Sequence, residues 1–231
     1  VTTPYSTTTT PARFLLLGDS HAGPIGRAAK AVGMPFVGGP VGSGRDFNAD
    51  FFDVRDGRLV FRNADVNGRY RSFLRELAVD DLGEIPIPLV STFGLAAHFF
   101  ATTENWQIYR DGDGEFPPDF LSSRLFADIV RAMARDALVF YRHALDLGLR
   151  VLAVMPPQRV PGMADPQVFM AAQETIRHEL VTLGVEIVDL RARTTDETGR
   201  QRAALCEPND PLHGNLAFGR LIVADLLARG L

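Results

Sequence analysis

The sequence predicts an α/β protein, a parallel sheet of about five strands held between two layers of helices as a three-layer sandwich. Three observations lead there. Short apolar runs alternate with longer segments of helical periodicity, the order expected of βαβ units. The runs are short, largely apolar and bounded by turn residues, as strands covered on both faces should be. The 231 residues are enough for one sizeable core and leave little for a second.

The clearest strands are residues 14–17, 88–92, 151–155 and 185–190, with 34–39 ("MPFVGG") as a weaker fifth. Helical periodicity covers 24–32, 69–77, 122–147, 166–183 and 216–227. In the longest of these, Leu125, Ile129, Met133, Ala137, Phe140, Ala144 and Leu147 recur at steps of three or four, which predicts one apolar face. Residues 51–61 depart from the alternation. Two β-leaning runs flank Asp56-Gly57, the chemistry of a tight hairpin turn, so this is read as an excursion from the sheet. Residues 105–120, rich in turn formers and aromatics, predict a surface loop or lid. Residues 1–12 read as a Thr-rich lead-in and 13–231 as one domain.

Bulk properties narrow the function. A formal charge of −4 offers no electrostatic reason for a nucleic-acid or anionic-membrane partner. No apolar run approaches the ~18 residues of a membrane span. The single cysteine, Cys206, excludes an internal disulfide and suits a reducing compartment. The N-terminal stretch has neither a basic start nor an apolar core, so no signal peptide is expected. Together these point to the cytoplasm, with export after processing as the alternative. Cys206 itself is expected to be an inert small hydrophobe.

In such sheets ligands bind beyond the carboxyl ends of the strands. That rim should carry Gly18–His21, 38–45, 93–98, 156–159 and the loop "CEPNDPLHGN". Ser20 sits between the first strand and the first helix. Alone it would be an ordinary helix cap. A hydroxyl becomes a nucleophile only when a base takes its proton, and "NDPLHGN" offers Asp210 and His213. Three residues apart on a tight turn, the carboxylate can orient the imidazole while its other nitrogen faces Ser20.

Gly18-Asp19-Ser20-His21 near the start and Asp210-Pro211-Leu212-His213 before a final helix resemble the first and last blocks of the SGNH or GDSL hydrolase family. The resemblance spans nearly the whole chain. It implies a flavodoxin-like three-layer fold, a Ser20–His213–Asp210 triad, no cofactor, and hydrolysis or transfer of a short acyl group, such as acetyl, on a carbohydrate-like or small-molecule alcohol. It also implies an oxyanion site built from the Ser20 amide and a second-block glycine, Gly42 or Gly44. The third-block Gly-x-Asn is replaced by Gly94-Leu95-Ala96, so the asparagine donor is missing; His98 lies two residues on, and Asn48, Asn67 and Asn105 are stand-ins without a spacing argument.

Around this core, His21, His98, Arg45 and Arg159 are candidate substrate contacts, each with a plain structural alternative. Asp19 is expected to brace the turn through backbone N–H groups. His143 and His178 fall inside helices and carry no chemistry. "GPVGSGRD" lacks the Lys-Ser/Thr of a phosphate loop, and "DGDGE" lacks the distant Glu of a calcium loop. Two other functions compete. The missing asparagine suggests a catalytically weak or inactive binding domain, and Asp19-x-His21 suggests a metal-dependent phosphoesterase. The second needs several further ligands at strand ends that the sequence does not supply.

Overall fold

The computed structural model describes residues 11–231. Of the Thr-rich lead-in, residues 1–10 lie outside the described residues, while Ala12 is half-buried against the core. β1 (Leu15–Gly18) is buried along its length. Leu15 and Leu17 enter the core on one face, and Phe14 and Leu16 the core on the other. That alternation is the period of two that a strand imposes. α1 (Ala22–Ala31) follows, then β2 (Val37–Pro40), which begins three residues later than the apolar run suggested.

β3 (Phe52–Arg55) and β4 (Arg58–Phe61) pair antiparallel as a separate two-stranded sheet. Asp56 and Gly57 both take positive φ at their junction, as a two-residue hairpin requires. α2 (Ala64–Glu76) starts five residues before the predicted 69. Asn63 caps it, its Oδ1 accepting from the amides of Asp65 and Val66, so Asn67 and Gly68, just ahead of the predicted start, lie inside the helix.

β5 (Leu89–Ser91) returns the chain to the main sheet. α3 (Thr103–Trp106) opens the aromatic segment, which is anchored to the body of the protein. Trp106 is buried and donates to Phe100 O at 2.6 Å. Tyr109, Phe120 and Phe116 stack in sequence, and Arg110 lies over Phe116 and pairs with Asp165.

The single helix predicted over 122–147 is two helices, α4 (Arg124–Met133) and α5 (Arg135–Asp146). Ala134, with φ −92° and ψ 4°, separates them. The break rotates the first half, so α4 buries Phe126 and Val130 while Leu125 is 56% exposed. Past the break the predicted face holds: Ala137, Phe140 and Ala144 are buried.

β6 (Val151–Val154), α6 (Pro166–Leu183), β7 (Glu186–Val188), the short α7 (Arg191–Thr194) and α8 (Leu216–Ala228) complete the chain. The main sheet runs β2-β1-β5-β6-β7, and every neighbouring pair is parallel. α1 and α8 cover one face; α2, α4, α5 and α6 cover the other. This is the three-layer sandwich that the sequence predicts. α1 and α8 approach so closely that a Cβ on Gly219 would lie 2.2 Å from Pro24 O. Winding reverses between β1 and β5, which opens a crevice beyond their carboxyl ends. Among the described residues no helix is long and apolar enough to cross a membrane.

Candidate active site

The turn after β1 is held by Asp19. Its carboxylate is fully buried, and Oδ1 accepts from the His21 amide at 2.9 Å and the Thr92 hydroxyl at 2.9 Å. Thr92 follows β5, so this contact bridges the crevice at the switch point. The brace is therefore one backbone N–H and one hydroxyl, and Oδ2 has no partner among the described residues. α1 begins without a side-chain cap. Ser20 turns its hydroxyl away from the helix start and toward the last loop, with Oγ 2.7 Å from His213 Nε2.

That loop is closed at its neck. The Glu207 amide donates to His213 O, the Asn215 amide donates to Leu205 O, and Cys206 bridges to Gly214. Asn209 takes positive φ before Asp210-Pro211, which sharpens the turn. Asp210 Oδ1 accepts from the amides of Leu212 and His213 at 2.7 and 2.8 Å. Its Oδ2 lies 2.7 Å from His213 Nδ1. A carboxylate only accepts, so Nδ1 carries the ring proton and Nε2 is left to accept from Ser20. A hydroxyl, an imidazole and a carboxylate thus form one line along which a proton can move from Oγ to Nε2.

Charge is arranged to favour that direction. Partial burial works to raise the Asp210 pKa, but the Leu212 amide and the His213 side chain and amide outweigh it and bring it to about 2. Asp210 is therefore ionised beside the ring that would become cationic. Burial, helped by the charge of His213 and opposed by Asp210, lowers His21 to about 3, so it is neutral at working pH. Its ring packs on His213 with centroids 4.9 Å apart. Burial likewise lowers His98 to about 4, with His21 adding to the effect. Burial pushes Asp19 up to about 6 against the hydrogen bonds of His21 and Thr92.

The two candidate glycines separate. A Cβ on Gly42 would meet Asp46, Val66 and Phe47, away from the Ser20 turn. A Cβ on Gly44 would lie 2.7 Å from the Phe99 ring and 3.7 Å from Asp19 Oδ2, beside that turn. Among the described residues no acceptor takes the amide N–H of Ser20, Gly42 or Gly44, so it is position that distinguishes the two glycines. Gly94, at the third block, packs into α5: with φ +67°, its Cβ would lie 2.3 Å from Ala137 Cβ. Asn67 accepts from the Phe61 amide, and Asn105 is exposed on α3. Neither stands in for the missing side chain.

Arg159 is engaged by the last loop. Its Nη1 donates to Glu207 O at 3.1 Å and His213 O at 2.8 Å, stapling the neck of the loop. Arg45 is exposed beyond Gly44. His98 is buried with its ring 4.0 Å from that of Phe99. Among the described residues no three His, Cys, Asp or Glu side chains converge to hold a metal ion.

A cleft of about 520 Å³ opens on the α1 side of Ser20, lined by Ser20, His213, Asp210, Pro24, Arg27, Glu207, Asn215, Leu216 and Ala217. Arg27, Glu207 and Thr92 went unnoticed in the sequence, since no motif joins positions so far apart. Thr92 alone had a signal, being polar at the end of an apolar strand beside the rim.

No protein-family model matches the chain, and no curated protein matches it. Solved structures do. A Streptococcus pneumonia protein provisionally named a platelet activating factor is 12% identical, with TM-score 0.50, over 97% of this chain and 86% of its own. An acetyl xylan esterase is 12% identical, with TM-score 0.49, over 94% of this chain and 100% of its own. A GDSL-like lipase from Bacteroides thetaiotaomicron is 14% identical, with TM-score 0.46, over 94% and 86%. The likeness is one of fold, the arrangement that the SGNH/GDSL resemblance implies.

Proposed function

We propose that the protein is a serine-dependent esterase or O-acyltransferase that takes a short acyl group, acetyl above all, from a carbohydrate-like or small-molecule alcohol. The observation that carries this reading is the continuous contact from Ser20 Oγ to His213 Nε2 and from His213 Nδ1 to Asp210 Oδ2, each 2.7 Å long. Ser20 Oγ attacks the ester carbonyl carbon while its proton passes to Nε2. The oxyanion forms against the amides of Ser20 and Gly44, near the uncapped start of α1. Collapse breaks the C–O bond, and the proton on Nε2 leaves with the alcohol. Water then attacks the acyl-serine with His213 again as base; a second alcohol in its place makes the reaction a transfer.

His21, neutral and packed on His213, adds no positive charge beside the imidazolium. The absent third-block asparagine removes a donor whose loss typically raises the barrier by about 2.7–4 kcal/mol, so the reading predicts a modest rather than a fast enzyme. The phosphoesterase alternative lacks a ligand set, because Asp19 Oδ1 is committed to His21 and Thr92 and, among the described residues, no third ligand joins them.

A fluorophosphonate probe and p-nitrophenyl acetate test the proposal. Ser20 is expected to be labelled covalently and acetate released, with no response to a chelator. Folded protein that is neither labelled nor active overturns the esterase reading in favour of a binding domain, and chelator-sensitive activity favours the metal reading.

A further inference from the structure

The cleft beside Ser20 contains two charged side chains that the proton relay does not use. Arg27 Nη2 and Glu207 Oε2 are 3.5 Å apart across it. Arg27 lies one helical turn beyond Gly23, and a Cβ on Gly23 would sit only 3.5 Å from Arg27 Nη1. The guanidinium therefore folds back along α1, toward the serine. Glu207 opens the loop that carries His213, and its amide donates to His213 O. Both partners are thus tied by short stretches of backbone to the reacting groups.

The pair is not there for stability. Arg27 and Glu207 are 56% and 43% exposed, and exposed pairs contribute little. What they offer is chemistry. Side by side stand the N–H fork of a guanidinium and the acceptor oxygens of a carboxylate, a match for adjacent hydroxyls, which donate and accept in turn. Opposed charges cancel, so the cleft selects for polarity without selecting for an ion. Pro24, Leu216 and Ala217 give the same cleft an apolar wall, suited to the C–H face of a ring.

We propose that Arg27 and Glu207 form the alcohol subsite, holding two neighbouring hydroxyls of a cyclic polyol while its C–H face rests on Pro24 and Leu216. This rests on the reading of Ser20 as the nucleophile. The subsite determines which ester is chosen, and the relay carries out the cleavage.

Two esters of the same acid and similar ring size test it: methyl 6-O-acetyl-glucoside and cyclohexylmethyl acetate, which lacks the hydroxyls. The native protein should prefer the first in kcat/KM. Arg27→Ala and Glu207→Ala should each reduce that preference about tenfold, chiefly through KM. A preference that survives within about twofold in both variants overturns the subsite. A binding measurement separates this from the fate of the nucleophile. In Ser20→Ala protein, methyl 6-O-acetyl-glucoside should shift the Arg27 Nε–H resonance by NMR. No shift, with native Ser20 labelled by fluorophosphonate, sinks the subsite alone. A shift with native Ser20 unlabelled supports the subsite and sinks the catalytic reading.

Discussion

His213 Nε2 lies 2.7 Å from Ser20 Oγ although 193 positions separate the two residues. If that contact is the working one, Ser20→Ala or His213→Ala lowers kcat for p-nitrophenyl acetate by roughly 10⁶, and Asp210→Asn by roughly 10⁴. Combining Ser20→Ala with His213→Ala should lower it little further, because residues that act as one unit are not additive. Losses that multiply would show that the three do not act together.

Arg159 staples Glu207 O and His213 O with a single nitrogen. Releasing it should let the imidazole drift without changing the cleft's charge. Arg159→Ala is expected to lower kcat about ten- to a hundredfold with KM little changed, since small displacements of a reacting group carry penalties of that size. Arg159→Lys, which keeps one donor, should recover part of the loss. A change confined to KM would return Arg159 to the role of substrate contact.

Asp19 is fully buried and its pKa is pushed from 3.8 up to about 6. A carboxyl with a raised pKa favours folding most when protonated, so its contribution is fully present below about pH 4 and is lost as pH rises past 6. A shift near two units corresponds to about 3 kcal/mol. Asp19→Asn should therefore gain stability relative to the native protein by up to about 3 kcal/mol between pH 4 and pH 7. Urea unfolding across that range measures it, and a pH-independent difference would contradict the burial argument. His21 acts in the opposite sense: its lowered pKa makes the native protein lose stability as pH falls from 6.5 toward 3.

Gly94 combines a φ of +67° with a Cβ position 2.3 Å from Ala137 Cβ. Gly94→Ala should destabilise the fold by about 2–3 kcal/mol through overpacking and backbone strain together. Adding Ala137→Gly relieves the contact but not the strain, so thermal unfolding should show partial recovery. Full recovery would mean that φ at this position is not strained.

The sheet was legible because β1, β5 and β6 are buried on both faces and so are written as largely apolar runs, while the edge strand β7 still shows Ile187 and Val188 between Glu186 and Asp189. The Asp-x-x-His spacing was legible because its geometry is local: Asp210 reaches both the amide and the ring of His213 within one turn. What escaped depends on distant partners. The break at Ala134 leaves no mark in the chain's own periodicity, which ran straight through it and put Leu125 on the wrong face. The start of α2 was hidden by Asn67 and Gly68, poor helix formers placed there by the Asn63 cap and by packing on β4. Arg159 read as a substrate contact because two carbonyls about fifty positions downstream cannot be seen as its partners in advance. The proposal of Gly44 rather than Gly42 rests on Phe99 and Asp19 beside it, neighbours that sequence spacing does not reveal.

The close fit of Gly219 against Pro24 joins the helix that follows Ser20 to the helix that follows His213. During synthesis Ser20 emerges 193 positions before His213, and α8 follows later still. A nascent chain holding Ser20, Asp210 and His213 but still short of α8 can pair Asp210 with His213 within one turn, but it lacks the packing of α8 on α1 that holds Ser20 against them. On the proposed reading the hydroxyl meets its base only once α8 has docked on α1, and Gly219→Leu should part the two helices and lower turnover without touching any group proposed to react.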